Sequence, residues 1–303
     1  MKKNIIVSLI ILLGSCFLSP NLKAQEIIEI PPLFEYPVAP DEIEGFNEKC
    51  DYVVTHFWEP FDFKSQHAVN QAALNHAFNV YLTSLIYSTD KVFKESLDKL
   101  IKKLSGNPTM LVQFEKAAEE SLYGPRADWV ADDIYLRFLD AAAKNKKISN
   151  TKRDKYKARA ELLRTSDVGQ KAKSFKFTDR DGKEANYFPM STPTILIFGD
   201  PTNSDWRIAR LRMEGYTPLS QALEKGKLNI IYIALADDEE TWKNAVANYS
   251  KRWNVGSAEN IKEIYDIRIV PSFYLIGSDG NILMKNSPLN TTLSKALEIV
   301  GEG

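Results

Sequence analysis

Apolar residues between positions 46 and 163 recur at three- and four-residue spacings, the period of a helix with one buried face. A first helix is predicted over 46–58, with Tyr52, Val53, His56 and Phe57 near one face. A second runs over 66–87 with Val69, Ala73, Ala77, Val80 and Leu85. Ser88 or Thr89 can cap a third, whose Val92, Phe93, Leu97, Leu100, Ile101 and Leu104 form a continuous stripe ended by Gly106-Asn107-Pro108. Three more follow over 110–122, 125–143 and 152–163. Trp58, Phe57, Phe61 and Phe63 read as core aromatics. The preceding stretch, 25–44, holds Pro31, Pro32 and Pro40, so an extended leader is expected there rather than a helix.

Beyond Ser166 the period changes. Phe175-Lys-Phe177 alternates and reaches Asp181-Gly182, a hairpin signal leading into 185–188. The segments 194–198 and 230–235 are nearly unbroken apolar runs, as expected of strands buried on both faces of a central sheet. One helix is predicted between them, over 204–224. The acidic run 237–240 opens another, and 258–265 a shorter one. Residues 272–277 and 281–285 flank a Ser-Asp-Gly turn and predict an antiparallel hairpin, with a closing helix over 292–300. The order is an all-α N-terminal domain followed by an α/β domain with a central mixed sheet flanked by helices.

Particular residues in this second part carry a family resemblance. Val168-Gly-Gln-Lys-Ala172, Phe175 and Asp181-Gly182-Lys183 resemble the opening of periplasmic thioredoxins of the TlpA/ResA type. Tyr265-Asp-Ile-Arg-Ile-Val-Pro271-Ser-Phe-Tyr-Leu-Ile276, followed by Asp279-Gly280, is similar to a later segment of the same proteins. The resemblance covers about residues 168–301. It implies a thioredoxin-like fold, a cis peptide at Val270-Pro271, and a shallow groove where that loop pairs with an extended peptide. Glu119 to Pro125 and Asp133-Ile-Tyr135 resemble a helical domain of unknown function that precedes thioredoxin-like domains in Gram-negative envelope proteins. The expected layout is a signal peptide over 1–24, a helical domain over 25–165 and a thioredoxin-like domain over 166–303.

Thioredoxin chemistry needs two thiols at the start of the helix after the first central strand. The helix terminus lowers the first thiol's pKa, and the second thiol resolves the mixed disulfide. Phe198-Gly-Asp-Pro201-Thr-Asn203-Ser-Asp-Trp206 occupies that frame here, so Asn203 and Trp206 stand where the cysteines would be. Neither side chain carries a sulfur, so the two-thiol mechanism is closed to this chain. Asn203 or Ser204 suits a helix N-cap, with Trp206 packed against its neighbours. The functional alternative places Asn203, Ser204, Trp206, Val270 and Pro271 on a peptide-binding face, with Trp206 as an aromatic anchor.

Composition excludes other classes. With 44% hydrophobic and 26% charged residues, the chain is neither collagen-like, disordered nor multi-pass membrane-spanning. Lys2 and Lys3 precede an apolar run from Ile5 to Leu18, too short to cross a bilayer, which reads as a secretory signal. Two outcomes stay open: cleavage after Ala24, or lipidation at Cys16 in Leu13-Gly-Ser-Cys16. Either implies export to the periplasm or outer membrane of a Gram-negative bacterium, with Cys16 the only route to a membrane. Cleavage after Ala24 removes Lys2, Lys3 and Lys23 and takes the net charge from −1 to −4, which offers nothing to nucleic acid. Cys16 and Cys50 are the two cysteines of the sequence, so Cys50 is an unpaired thiol, expected to be buried. His56, His67 and His76 miss the spacing of a helical metal site, and no metal or cofactor is expected. The basic stretch from Lys144 to Arg159 reads as a solvated helix face, with contact to anionic envelope components as the alternative.

The expectation is therefore an exported, redox-inactive thioredoxin-like protein that binds a protein or peptide, without enzymatic activity. The alternative is an atypical thiol-disulfide oxidoreductase of the TlpA/ResA type working through Cys50 or a partner's thiols.

Overall fold

Helical periodicity in the N-terminal half resolves into α1 (Phe46–His56), α2 (Gln71–Leu85), α3 (Asp90–Ser105), α4 (Pro108–Leu122), α5 (Asp132–Lys144) and α6 (Asn150–Thr165). The structure is a computed structural model, and it describes residues 31–65, 67–124, 127, 129–189, 191–236 and 239–302. Cys16, Ala24 and the signal segment lie outside the described residues, as do Pro125, Asp237 and Asp238.

Caps decide where several helices start. Asn70 Oδ1 accepts from Ala73 N at 3.0 Å, so α2 begins five residues later than its apolar pattern suggests. Asn107 Oδ1 accepts from Thr109 N and Met110 N, and Pro108 fills the first turn of α4, so one tripeptide both ends α3 and starts α4. Thr89 sits at the N-cap of α3, but its hydroxyl donates to Asp51 on α1 instead of capping.

Leu74, Phe78, Tyr81, Leu97, Leu104, Phe114, Phe138 and Leu139 meet in one fully buried core. Each large side chain withdrawn from water contributes about 1.5–3 kcal/mol. The proline-rich segment before α1 is anchored to this core. Phe34 meets the Phe57 and Trp58 rings at 5.6 and 5.7 Å, and Tyr36 stacks on Phe57 at 5.2 Å.

The C-terminal half is a mixed seven-stranded sheet in the order β2-β1-β5-β4-β3-β6-β7. The strands are β1 (Phe175–Asp179), β2 (Glu184–Tyr187), β3 (Thr194–Gly199), β4 (Asn229–Ala234), β5 (Asn254–Ser257), β6 (Ser272–Ile276) and β7 (Ile282–Met284). β3, β4 and β5 are parallel, and β6 runs antiparallel to β3. Helices α7 (Ser204–Glu214), α8 (Thr217–Glu224), α9 (Glu239–Val246), α10 (Ile261–Ile264) and α11 (Leu289–Ile299) complete the half.

Side chains alternate along the strands between two cores, as a pleat requires. Ile195, Ile197, Tyr232 and Phe273 share one core with Trp206, Met213, Leu219 and Ala296. Leu196, Phe198, Ile233 and Tyr274 share the other with Phe175, Ile261 and Tyr265.

Two differences from the sequence pattern stand out. The single helix expected over 204–224 is two, broken at Gly215 and Tyr216, with Pro218 in the first turn of α8. β5 was not predicted, because Asn-Val-Gly-Ser shows one large apolar residue and no alternation. Gly256 is what lets β5 pair there: a Cβ would lie 2.2 Å from Thr178 O on β1.

Candidate recognition face

Phe198 on β3 pairs with Ser272 on β6. The chain that leaves β3 at Gly199 and the chain that enters β6 after Pro271 therefore lie side by side at one end of the sheet. This brings together the two segments singled out from the sequence.

The first segment is a tight turn into α7. Asp200 Oδ1 accepts from Thr202 N at 2.8 Å and from Thr202 Oγ1 at 2.7 Å. Asn203 Oδ1 accepts from Asp205 N at 2.8 Å and Trp206 N at 3.0 Å, which satisfies two donors that a helix start leaves open. Ser204 is the exposed first residue of α7.

Trp206 corrects an expectation. It is fully buried and cannot serve as a surface anchor. Its ring stacks on Tyr232 at 4.6 Å and 12°, and its Nε1 donates to Tyr249 Oη at 2.8 Å. Tyr232 Oη donates to Gly199 O at 2.8 Å, so this aromatic group also fixes the turn. Gly199 is required there, because a Cβ would fall 2.6 Å from the Tyr232 ring. Burial pushes the phenols of Tyr232 and Tyr249 above their ordinary value, so both act as neutral hydrogen-bonding groups. Neither tyrosine was singled out from sequence, since one lies within an apolar strand run and the other in a loop.

The second segment carries the cis peptide Val270-Pro271, as the resemblance implies. Val270 and Pro271 are half-buried, and Ile269 is 44% exposed. Among the described residues, neither the Ile269 N–H nor the Val270 N–H has an intramolecular acceptor. Asn286, in the bend just after β7, braces the loop. Its Nδ2 donates to Asp266 O at 2.9 Å, and its Oδ1 is 2.7 Å from Ser272 Oγ. The Tyr274 hydroxyl also donates to Asp266 O at 2.7 Å.

A charged cluster lies behind the loop, and it is the part that sequence reading missed. Arg268 Nη2 sits 2.5 and 2.6 Å from the two Asp132 carboxylate oxygens and 2.8 Å from Asp266 Oδ2. Lys285 Nζ reaches Asp132 Oδ2 at 2.6 Å and Asp167 Oδ1 at 3.2 Å. Tyr123 donates to Asp266 Oδ1 at 2.7 Å, and the Arg268 guanidinium lies 4.6 Å from its ring. Burial alone raises the Asp132 pKa, but Arg268 and Lys285 outweigh it and hold the carboxyl below its ordinary value. Burial likewise opposes the charge on Arg268, and Asp132 and Asp266 more than compensate. The signal for this cluster is thin: one arginine in a loop and one aspartate in a first helical turn.

The remaining candidates lie elsewhere. Cys50 is buried on α1, its thiol pushed up by burial and by Asp51. His56 pairs with Glu59 at 3.0 Å. No metal-holding group of His, Cys, Asp and Glu occurs among the described residues. Of the basic stretch, Lys152, Lys155 and Lys157 are exposed, whereas Arg159 pairs with Glu119 at 3.0 Å and packs on Tyr123. No helix among the described residues is long and apolar enough to cross a membrane.

Residues 16–166 match the family described as Domain of unknown function (DUF5106). No curated protein matches the chain. A thioredoxin-like protein from Bacteroides caccae is similar in structure, with a TM-score of 0.68 and 20% identity over 89% of this chain and 99% of that one. The thioredoxin domain of a thiol-disulfide oxidoreductase from Bacteroides vulgatus matches 44% of this chain and 98% of its own, at 18% identity and a TM-score of 0.40. A thiol:disulfide interchange protein DsbE from Chlorobium tepidum, described as putative, matches 45% of this chain and 99% of its own, at 15% identity and a TM-score of 0.39. The mixed sheet flanked by helices is a thioredoxin-like fold, preceded by a helical region.

Proposed function

From a chain whose residues 16–166 match DUF5106 and whose C-terminal half has a thioredoxin-like fold, we propose an exported recognition protein without redox chemistry. It binds an extended peptide or protein segment at the end of β3 and β6. The observation that carries this reading is the pairing of two facts at one place. The helix-start positions are given to structure, with Asn203 as the cap and Trp206 in the core. Beside them, the cis-proline loop keeps two backbone donors, at Ile269 and Val270, with no acceptor among the described residues, next to an exposed apolar side chain. Unpaired N–H groups at an accessible edge are the means by which an extended chain adds itself to a sheet. The N-terminal pattern supports export, by signal cleavage or by a lipid on Cys16.

The test is fluorescence anisotropy with a labelled ten-residue peptide of alternating Val and Thr. Wild type binds, and Ile269→Glu weakens binding by at least about tenfold, or about 1.4 kcal/mol. Equal affinity in the variant overturns the assignment of the face. The redox alternative is checked with the same protein in an insulin-reduction assay. No acceleration over dithiothreitol alone is expected, and an acceleration lost in Cys50→Ser would favour the alternative. The raised pKa of a buried Cys50 argues against it, because the thiolate is the reactive form.

A further inference from the structure

We propose that the cis-proline loop is positioned from the helical half: Asp132 and Tyr123, acting on Arg268 and Asp266, hold residues 266–271 so that both halves build the recognition face. The inference rests on reading that face as a recognition surface.

Asp266 O is held from within the C-terminal half by Tyr274 Oη and Asn286 Nδ2, but the residues after it have little of their own to hold them. Arg268 N reaches Asn286 Oδ1 only at 3.4 Å, and the next two amides have no acceptor among the described residues. The contacts that add to this come from far along the chain. Arg268 to Asp132 spans 136 positions, Tyr123 to Asp266 spans 143, and Lys285 to Asp132 spans 153. Asp132 stands in the first turn of α5, and Tyr123 follows α4 directly. Arg268 is three residues before the cis proline, so a guanidinium fixed on a carboxylate of the helical half fixes the backbone leading into it.

The cluster's chemistry favours a single geometry. Asp266 is fully buried, and the side chains of Arg268, Lys285 and Asp132 are 7%, 11% and 15% exposed. Apolar side chains of similar volume often stabilise such a place as well as an ion pair does. Charged groups instead demand direction as well as contact, since each buried donor must meet its acceptor. Tyr123 adds a second constraint: its hydroxyl fixes the Asp266 carboxylate, and Arg268 and Arg159 both pack on its ring, at 4.6 and 4.7 Å. Arg159 is tied in turn to Glu119 on α4. Asp132 and Tyr123 are thus positioning residues, set behind the loop and away from the exposed Ile269.

The experiment compares wild type, Asp132→Asn, Tyr123→Phe and the control Asp98→Asn in the full chain. Asp98 pairs with Arg137 on the surface of the same half, away from the loop. Residue-resolved amide hydrogen exchange is read at Asp266 and Arg268, and at β3 and β4. Asp132→Asn and Tyr123→Phe each speed exchange at Asp266 and Arg268 by about tenfold or more, leaving β3 and β4 unchanged. They also weaken the Val-Thr peptide by a comparable factor, while Asp98→Asn does neither. Unchanged exchange at Asp266 and Arg268 overturns the proposal. An equal rise across β3 and β4 overturns it too, because it marks a general structural role. A wild type that does not bind the peptide defeats the reading of the face, and the exchange comparison then judges the positioning by itself.

Discussion

Trp206 and Asn203 stand at the same helix start and do different work. Asn203 spends its side-chain oxygen on the first amides of α7. Trp206 turns inward, stacks on Tyr232 and donates to Tyr249. Both roles consume the side chain, and neither leaves a reactive group at the surface. Trp206→Ala should cost about 3–5 kcal/mol through the cavity it leaves, whereas Trp206→Phe should cost less, losing the hydrogen bond and part of the ring. Urea unfolding followed by circular dichroism checks both. A loss under about 1 kcal/mol for Trp206→Ala would mean that Trp206 is not packed in the core. Burial of Trp206 could be foreseen only as one of two readings, because an indole suits a core and an interface equally. Tyr232 and Tyr249 decide between them, and they lie 26 and 43 positions further on.

At the scale of elements, α4, α5 and α6 enclose an acidic group that falls in line with Leu111, Ala118 and Leu122 on the buried stripe of α4. Glu115 is buried, and its Oε1 accepts from Tyr135 Oη at 3.1 Å. Lys116 and Glu119 on α4 and Lys155, Tyr156 and Arg159 on α6 line the same pocket of about 330 Å³. Burial first, and the neighbouring Glu119 second, push the Glu115 pKa from 4.5 up to about 7. The folded protein therefore holds a proton that the unfolded chain releases near pH 4.5. This contribution is complete below about pH 4.5 and is lost as pH rises to about 7, a change on the order of 3 kcal/mol. Glu115→Gln should remove that slope, read as the thermal midpoint between pH 5 and pH 8. An identical slope in the variant would place the titrating group elsewhere. Helix existence was legible along this whole half, because each stripe repeats at helical spacing. Helix starts were less so, since Asn70 and Asn107 act through single hydrogen bonds that no periodicity records. β5 was invisible for a related reason: it exists by pairing with β1 and β4, and its own four residues show no strand pattern.

Across the whole molecule, residues 32–303 form one compact unit, and the charged cluster behind the cis-proline loop ties its two halves together. The Asp132 carboxyl is held below its ordinary value of 3.8, so its contribution is present above about pH 4 and is lost as pH falls through the folded value. The stability gap between wild type and Asp132→Asn should therefore narrow as pH is lowered from 6 toward 3, followed by thermal unfolding. A gap that stays constant over that range would mean the ion pair is not what Asp132 contributes.

Read alone, the chain already specified the helical half, the sheet strands other than β5 and the missing sulfurs at Asn203 and Trp206, while the cis proline at residue 271 came from the family resemblance. Each of these follows from local spacing, from residue chemistry or from a motif carried within a few adjacent residues. Only the folded molecule shows that Trp206 is core, that Glu115 meets the Tyr135 hydroxyl, and that Arg268 is held between Asp266 and an aspartate of the helical half. Those outcomes depend on which distant side chains arrive at the same point. Burial and charge pairing are properties of such meetings, and a linear pattern of polar and apolar positions does not contain them.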